Sequence, residues 1–236
     1  MPLLLGDGHN LLVLLRDQKK KNLLPRSRRI AFMAGDLAGI SKLKLKIKKF
    51  RPEIGVHLAW EGIPSDDAAT SEKNLINGLA TVRLLGEIGA RAVLVSGSCH
   101  EYGEPGKKVS ESAPLRPFNT LYAAKVALYW LGSKIAAEHD MQFIWARIPF
   151  VYGPGQREKS LIPYLVYSLR RGEKPAIKNP SGGNDFLYVG DAAEALRQIV
   201  RHYKRIDSAV YNIGSGKLTG VSQIVRQVYR ALGVLP

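Results

Sequence analysis

The feature that most constrains this chain is a recurrence of short apolar runs, at residues 11–15, 30–33, 55–59, 92–96 and 143–147, separated by longer amphipathic stretches. Runs this short read as strands, and their near-continuous hydrophobicity asks for cover on both faces, as in a parallel sheet. Parallel strands need crossover connections, which are usually helical. Two stretches between the runs have that character: residues 71–88 place Leu75, Leu79, Val82 and Leu85 at three- and four-residue spacing, and residues 121–139 do the same with Leu121, Lys125, Leu128 and Leu131. Residues 42–50 alternate Lys with Leu or Ile as an exposed strand would, but their place after Gly35-Asp36-Leu37 favours a helix. The expected fold class is α/β, a Rossmann-type doubly wound parallel sheet.

After Tyr152 the pattern changes. Gly153-Pro154-Gly155 and the Lys178-to-Gly183 segment are rich in turn formers, while residues 161–171, 191–202 and 221–232 read as helices. At 236 residues with 45% hydrophobic side chains, the chain accommodates a core domain over 1–152 and a smaller lobe over 153–236 with segments returning to the core. A ligand cleft between them is the economical expectation.

The net charge is +15, and thirteen of the 35 basic side chains fall before position 52. A solvated basic face, a surface that gathers anionic substrates and a nucleic-acid footprint all fit that asymmetry. Without a zinc spacing, an RNA-binding aromatic signature or a helix-turn-helix signature, charge alone does not make a nucleic-acid partner the expectation. The single Cys99 excludes an intrachain disulfide framework and a cysteine metal cluster, so no metal is expected and a reducing cytoplasm is the natural compartment. Gly6, Asp7, Gly8 and His9 interrupt the apolar start, so neither a signal peptide nor a membrane span is expected there.

Val93-Leu94-Val95-Ser96-Gly97-Ser98 is a strand running into small hydroxyl residues, which puts Ser98 just past its carboxyl end, where open α/β sheets bind ligands. Taken alone, small residues at this point also simply end a strand. Lys125 follows 27 positions later in a helix expected to pack beside this strand end. A lysine there can hold a ribose and lower the pKa of a neighbouring phenol, making it a general base.

With these residues in place the chain resembles the extended short-chain dehydrogenases, the group of NAD-dependent nucleotide-sugar epimerases and dehydratases. The similarity runs through Gly35-Asp36-Leu37, His57-Leu58-Ala59-Trp60 and residues 74–78, 96–103, 117–125, 147–156, 185–191 and 211–216, matching in order and spacing. The resemblance implies an NAD or NADP cofactor. Asp36 and Leu37 would contact the adenine, Leu58, Ala59 and Trp60 the pyrophosphate and nicotinamide ribose, with Asn74, Ser96 and Lys125 assisting. Ser98 matches the family's catalytic hydroxyl residue. The related dehydratases carry an acidic pair directly after that residue; here Cys99 and His100 stand there, which favours an epimerase or 4-reductase.

The chain also departs from the family pattern. The family's tyrosine base lies four residues before the lysine, which is Leu121 here; Tyr122, three residues before it, shares nearly the same helix face and is the expected replacement. A first strand with a glycine-rich phosphate turn is not found, since Gly8-His9 and Leu11–Leu15 read like the family's second strand and the turn before it. Leu15 then stands where an acidic residue would hold the adenosine ribose, and the adjacent Arg16 tilts preference towards NADP. Phe150 and Asn184 replace an asparagine and an arginine that relatives use around the nucleotide sugar, leaving Arg157 among the groups able to meet a diphosphate. The resemblance thus implies hydride transfer at a sugar carbon, with Ser98, Tyr122 and Lys125 as catalytic residues and Ser98, Phe150, Arg157 and Asn184 against the nucleotide-sugar substrate. The alternative is a catalytically degenerate relative serving as a binding or assembly subunit. The two long helices resemble those that pair into a dimer interface in this family, so a homodimer is expected.

Overall fold

The computed structural model describes residues 1–103, 108–206 and 210–234. In chain order the first elements are α1 (Pro2–Gly6), β1 (Leu11–Leu15), β2 (Ile30–Ala34), α2 (Lys44–Phe50), β3 (Ile54–His57), α3 (Ala68–Glu87) and β4 (Ala92–Ser98). They are followed by α4 (Thr120–Ala137), β5 (Gln142–Ile148), β6 (Phe150–Tyr152), α5 (Leu161–Arg170), β7 (Gly183–Tyr188) and α6 (Val189–His202). β8 (Val210–Asn212), β9 (Leu218–Gly220) and α7 (Val221–Leu232) complete the described elements.

The central sheet is parallel, in the order β3-β4-β5-β8. It is covered on both faces, as the unbroken apolar runs demand. One face packs Val93, Val95, Phe143 and Trp145 against Val82 of α3 and Leu128 of α4; the other packs Leu94, Ile144 and Ala146 against Ala192 and Ile199 of α6. Fully burying a side chain such as Leu128 stabilises by roughly 1.5–3 kcal/mol. The close approach of α3 and α4 depends on Gly78, where a Cβ would stand 2.6 Å from Leu128 Cδ2. Each long helix starts on a side-chain cap: Asp67 accepts from the Thr70 amide at 2.8 Å and Asn119 from the Tyr122 amide at 3.1 Å. The α/β Rossmann-like architecture read from the sequence is the one observed.

Two smaller ladders flank this sheet. β1 and β2 pair in parallel, Leu11 opposite Ile30 through Leu15 opposite Ala34. Among the described residues no ladder joins this pair to β3, whose remaining edge is unpaired; Val56 there stays 42% exposed. In the third ladder β6 runs parallel to β7, and β7 antiparallel to β9. This ladder, α5 and α7 occupy the part of the chain after Pro149.

Residues 42–50 resolve into a 3-10 segment (Leu37–Leu43) leading directly into α2. Asp36 caps it, its carboxylate accepting from the Ala38 amide at 2.9 Å. Helical turning puts Ile40 and Ile47 into a core with Met33 and Leu84 and leaves Leu45 81% exposed, so the alternating pattern does not produce a strand. The third strand ends at His57, earlier than its apolar run, because Leu58 and Ala59 are already in exposed connection. No described helix is long and apolar enough to cross a membrane, and no described group of His, Cys, Asp and Glu is arranged to hold a metal ion.

Candidate active site

The site is built at the carboxyl end of β4. Ala92 to Val95 are buried, and the strand then narrows to Ser96, Gly97 and Ser98. Ser98 caps the short 3-10 turn Cys99–Tyr102: its Oγ accepts from the His100 amide at 3.3 Å, while the Glu101 carboxylate reaches back to the Ser98 amide at 2.7 Å. This reciprocal capping satisfies two backbone donors and fixes the path of the chain at Ser98.

Lys125 enters from α4 and is only 4% exposed. Its ammonium donates to the Ser96 carbonyl at 3.0 Å and lies 4.1 Å from the centre of the Trp60 ring. Burial lowers its pKa from 10.5 to about 8, the charge of Glu101 pulling the other way. Beside it His57, at the end of β3, is also buried, and its Nε2 has no hydrogen-bond partner in the structure. Burial and the Lys125 charge push the His57 pKa down from 6.5 to about 4.

That buried neutral imidazole makes stability acid-sensitive. Between pH 6.5 and 4 the unfolded chain binds a proton at His57 that the folded chain refuses. The contribution is therefore fully present above pH 6.5 and is lost as pH falls towards 4, about 3 kcal/mol in total. Urea midpoints measured across this range should fall less steeply in His57→Phe than in the wild type; equal slopes would show that His57 is not the group responsible.

Asn119 starts α4 so that Tyr122 falls on its first turn. The Tyr122 ring lies tilted against His100 with ring centres 4.9 Å apart and against Phe118 at 5.0 Å, and Phe150 meets His100 edge-on at 5.2 Å. His100, bonded through its amide to Ser98, thus brings the rings of Tyr122 and Phe150 to this strand end, while Lys125 meets the same strand at Ser96. Leu121, where the family's tyrosine would stand, is buried in the core instead.

Of the residues expected at a cofactor, Arg16 and Asp36 come together past the ends of β1 and β2. The Arg16 guanidinium is 3.9 Å from Asp36 and donates to Glu61 at 2.6 Å. Leu37 packs into the α2 core, while Leu58 and Ala59 lie exposed beyond β3. Asn74 spends its amide on backbone: it accepts from the Glu61 amide at 2.8 Å and donates to the carbonyls of Glu61 and Thr70, each at 2.9 Å. It shapes the connection that carries Trp60. These residues fit the ribose end of a nicotinamide dinucleotide: a buried ammonium beside a strand end, an orphaned imidazole and an aromatic wall. Among the described residues no glycine-rich turn opens a helix towards the position of a pyrophosphate.

Of the residues expected at a substrate, Arg157 is exposed and donates to the Ile63 carbonyl, tying the segment after β6 to the loop after β3. Asn184 lies on β7 opposite Thr219, and its neighbour Asp185 accepts from Ser215 and Gly216. Neither side chain belongs to the aromatic cluster around Tyr122.

Sequence reasoning missed the groups beneath Ser98. Glu101 is fully buried and accepts from Arg147 Nε at 2.7 Å and from Trp145 Nε1 at 3.1 and 3.0 Å. Arg147 also donates to the Tyr102 hydroxyl at 2.6 Å, which in turn donates to Asn212 at 2.7 Å. An Arg in an otherwise apolar strand run, with a Glu three residues past the strand-end serine, was the available signal.

The model of the NAD dependent epimerase/dehydratase family matches residues 1–214 of the chain. The chain is 28% identical over 180 residues to UDP-glucose 4-epimerase of Streptomyces lividans, covering 69% of this chain and 54% of that protein. It is 27% identical over 230 residues to dTDP-D-glucose 4,6-dehydratase of Mus musculus, covering 90% of this chain and 61% of that one. The chain therefore spans between about half and three-fifths of the length of these relatives. The solved structure of the Thermus thermophilus UDP-glucose 4-epimerase in complex with NAD superposes with a TM-score of 0.85 at 20% identity, covering 99% of this chain and 78% of that one. With a parallel α/β sheet, a hydroxyl residue at its carboxyl edge, a buried lysine behind it and a family match over most of its length, the chain belongs to the NAD dependent epimerase/dehydratase family.

Proposed function

We propose that this chain is an NAD-dependent nucleotide-sugar epimerase or 4-reductase, and that Ser98, Tyr122 and Lys125 are its catalytic residues. The observation that supports this reading is Ser98 at the carboxyl end of β4, where open α/β sheets bind ligands, with Lys125 bonded to the Ser96 carbonyl and the Tyr122 ring against His100. NAD, when bound, supplies a reversible acceptor for hydride from a sugar carbon. Lys125 and the connection through Leu58, Ala59 and Trp60 would hold its nicotinamide ribose, and Asp36 and Leu37 its adenine end. Arg16, whose place in the sequence tilts preference towards NADP, is engaged with Glu61 and near Asp36; carboxylates there would oppose a 2′-phosphate, which supports NAD instead.

In this reading the Ser98 hydroxyl hydrogen-bonds the reacting sugar hydroxyl and orients it, and the Tyr122 phenol takes its proton. The Lys125 ammonium grips the ribose and favours the phenolate by its charge. Phe150 would face the nucleotide sugar from the strand Phe150–Tyr152, and Arg157 and Asn184 from a substrate lobe over residues 153–236. Cys99 and His100, where related dehydratases carry acids, support epimerisation or reduction over water elimination.

A second reading, a family member without turnover that acts as a binding or assembly subunit, is favoured by one observation: Leu121, buried at the position of the family's tyrosine. Titration with NAD(H) and NADP(H), followed by nicotinamide fluorescence, separates the two. Micromolar to submillimolar binding supports the enzyme, and no binding at millimolar cofactor overturns it. Tyr122→Phe should cut turnover by about 10²–10⁴-fold with cofactor affinity unchanged; full turnover in that variant removes Tyr122 from the mechanism.

We also propose a cytoplasmic homodimer. Ile76 on α3 and Trp130 and Leu131 on α4 are each more than half exposed, an apolar surface on paired helices that a second copy would cover. Trp130→Glu combined with Leu131→Lys should shift the sedimenting species from dimer to monomer; a wild type that sediments as a monomer rejects this assembly.

A further inference from the structure

We infer that Glu101 is a positioning residue for Ser98, set in place by Gly97 and by the buried Arg147. The inference deepens the enzymatic reading and rests on it for its meaning in turnover. Both carboxylate oxygens of Glu101 are committed: Oε1 accepts from the Ser98 amide at 2.7 Å and from Trp145 Nε1, and Oε2 accepts from Arg147 Nε at 2.7 Å and again from Trp145. A carboxylate with this many donors has one orientation, and the bond from Ser98 is charge-assisted and short.

Gly97 is part of the same device. A Cβ at this position would stand 2.6 Å from Glu101 Oε1 and 2.3 Å from Trp145 Nε1. The glycine between Ser96 and Ser98 therefore leaves the room in which the carboxylate sits directly under the strand end. Arg147 then couples the arrangement outwards. Its Nη1 donates to the Tyr102 hydroxyl and, at 3.2 Å, to the Glu111 carbonyl, and the Glu111 carboxylate accepts from the Asn212 amide at 2.9 Å. The Arg116 amide donates to the Glu101 carbonyl at 2.8 Å. Ser98 is thereby held in register with the segment that leads into α4 and carries Tyr122. Glu101 is fully buried, so it acts through Ser98 and not on a substrate.

Glu101→Gln keeps the shape and an acceptor but removes the charge. In the full-length protein, the Ser98 amide proton, assigned by NMR, should move upfield from a strongly downfield position, and its exchange with solvent should accelerate. Turnover should fall about 10- to 100-fold with substrate KM and NAD affinity changed less than about twofold. Gly97→Ala, which displaces the carboxylate sterically, should give the same amide shift and the same split between kcat and KM, and so covers the case in which Glu101→Gln folds poorly. An unmoved Ser98 amide in both variants overturns the inference, as does equal loss of kcat and cofactor affinity. A wild type that neither binds NAD nor turns over rejects the enzymatic reading instead, and the amide shift still decides whether Glu101 sets Ser98.

Discussion

Replacing Lys125 by methionine is expected to make the protein more stable at neutral pH while weakening its hold on the cofactor. The Lys125 ammonium is 4% exposed, without a carboxylate at salt-bridge distance among the described residues. Its folded pKa of about 8 against 10.5 means that folding disfavours its charged form. Above pH 10.5 both states are neutral and the full stability is present; as pH falls from 10.5 to 8 the unfolded chain binds a proton that the folded chain refuses, and about 3 kcal/mol is lost, all of it by neutral pH. Methionine keeps the apolar stem and has no charge to desolvate. It forfeits the bond to the Ser96 carbonyl and the contact with Trp60, roughly 1 kcal/mol each. The net expectation is a gain of roughly 1 kcal/mol at about pH 7 that disappears by about pH 10, read from urea unfolding at both values. If Lys125 holds a cofactor ribose as proposed, its loss should raise the NAD dissociation constant by roughly 10- to 100-fold. A variant destabilised at neutral pH would show that the lysine is better compensated than its burial indicates.

Arg147→Met is expected to be among the most destabilising single changes in the core. Arg147 is 2% exposed and its partner Glu101 is fully buried. Removing one member of such a pair leaves an uncompensated charge, at a cost of about 3–5 kcal/mol, out of a total that for ordinary domains is about 5–15 kcal/mol. Adding Glu101→Gln removes that charge while leaving one acceptor oxygen that Ser98 and Trp145 can share, so the double variant should regain most of the loss. The pair should therefore be strongly non-additive. Chemical denaturation of the two single variants and the double measures this directly; additive losses would mean that the two charges do not compensate each other.

Much of the fold was legible because parallel strands buried on both faces have a one-dimensional signature. Leu11–Leu15 and the runs at 92–96 and 143–147 carry almost no polar interruption of the kind a solvent-facing strand would need, and each lies within an observed strand. The long helices were equally plain, since a three-to-four residue repeat survives without tertiary context. Residues 42–50 were harder, because period two and helical period compete in so short a segment; the Asp36 cap and the burial of Ile47 decided it. The short strands of the third ladder, three to six residues each, left no distinct pattern, and their pairing is set by contacts distant in sequence.

By itself the sequence determined the parallel α/β class, the family, and the placing of Ser98 at a strand end with Lys125 on the helix behind it. These follow from local spacing and from residue order. Only the tertiary structure decided what surrounds Ser98. Glu101 lies 44 positions from Trp145 and 46 from Arg147 along the chain, and its buried carboxylate is tolerated only because β4 and β5 bring those donors to it. The same holds for Tyr122, whose ring meets His100 because α4 docks on the end of β4, and for Leu121, whose side chain that docking turns into the core.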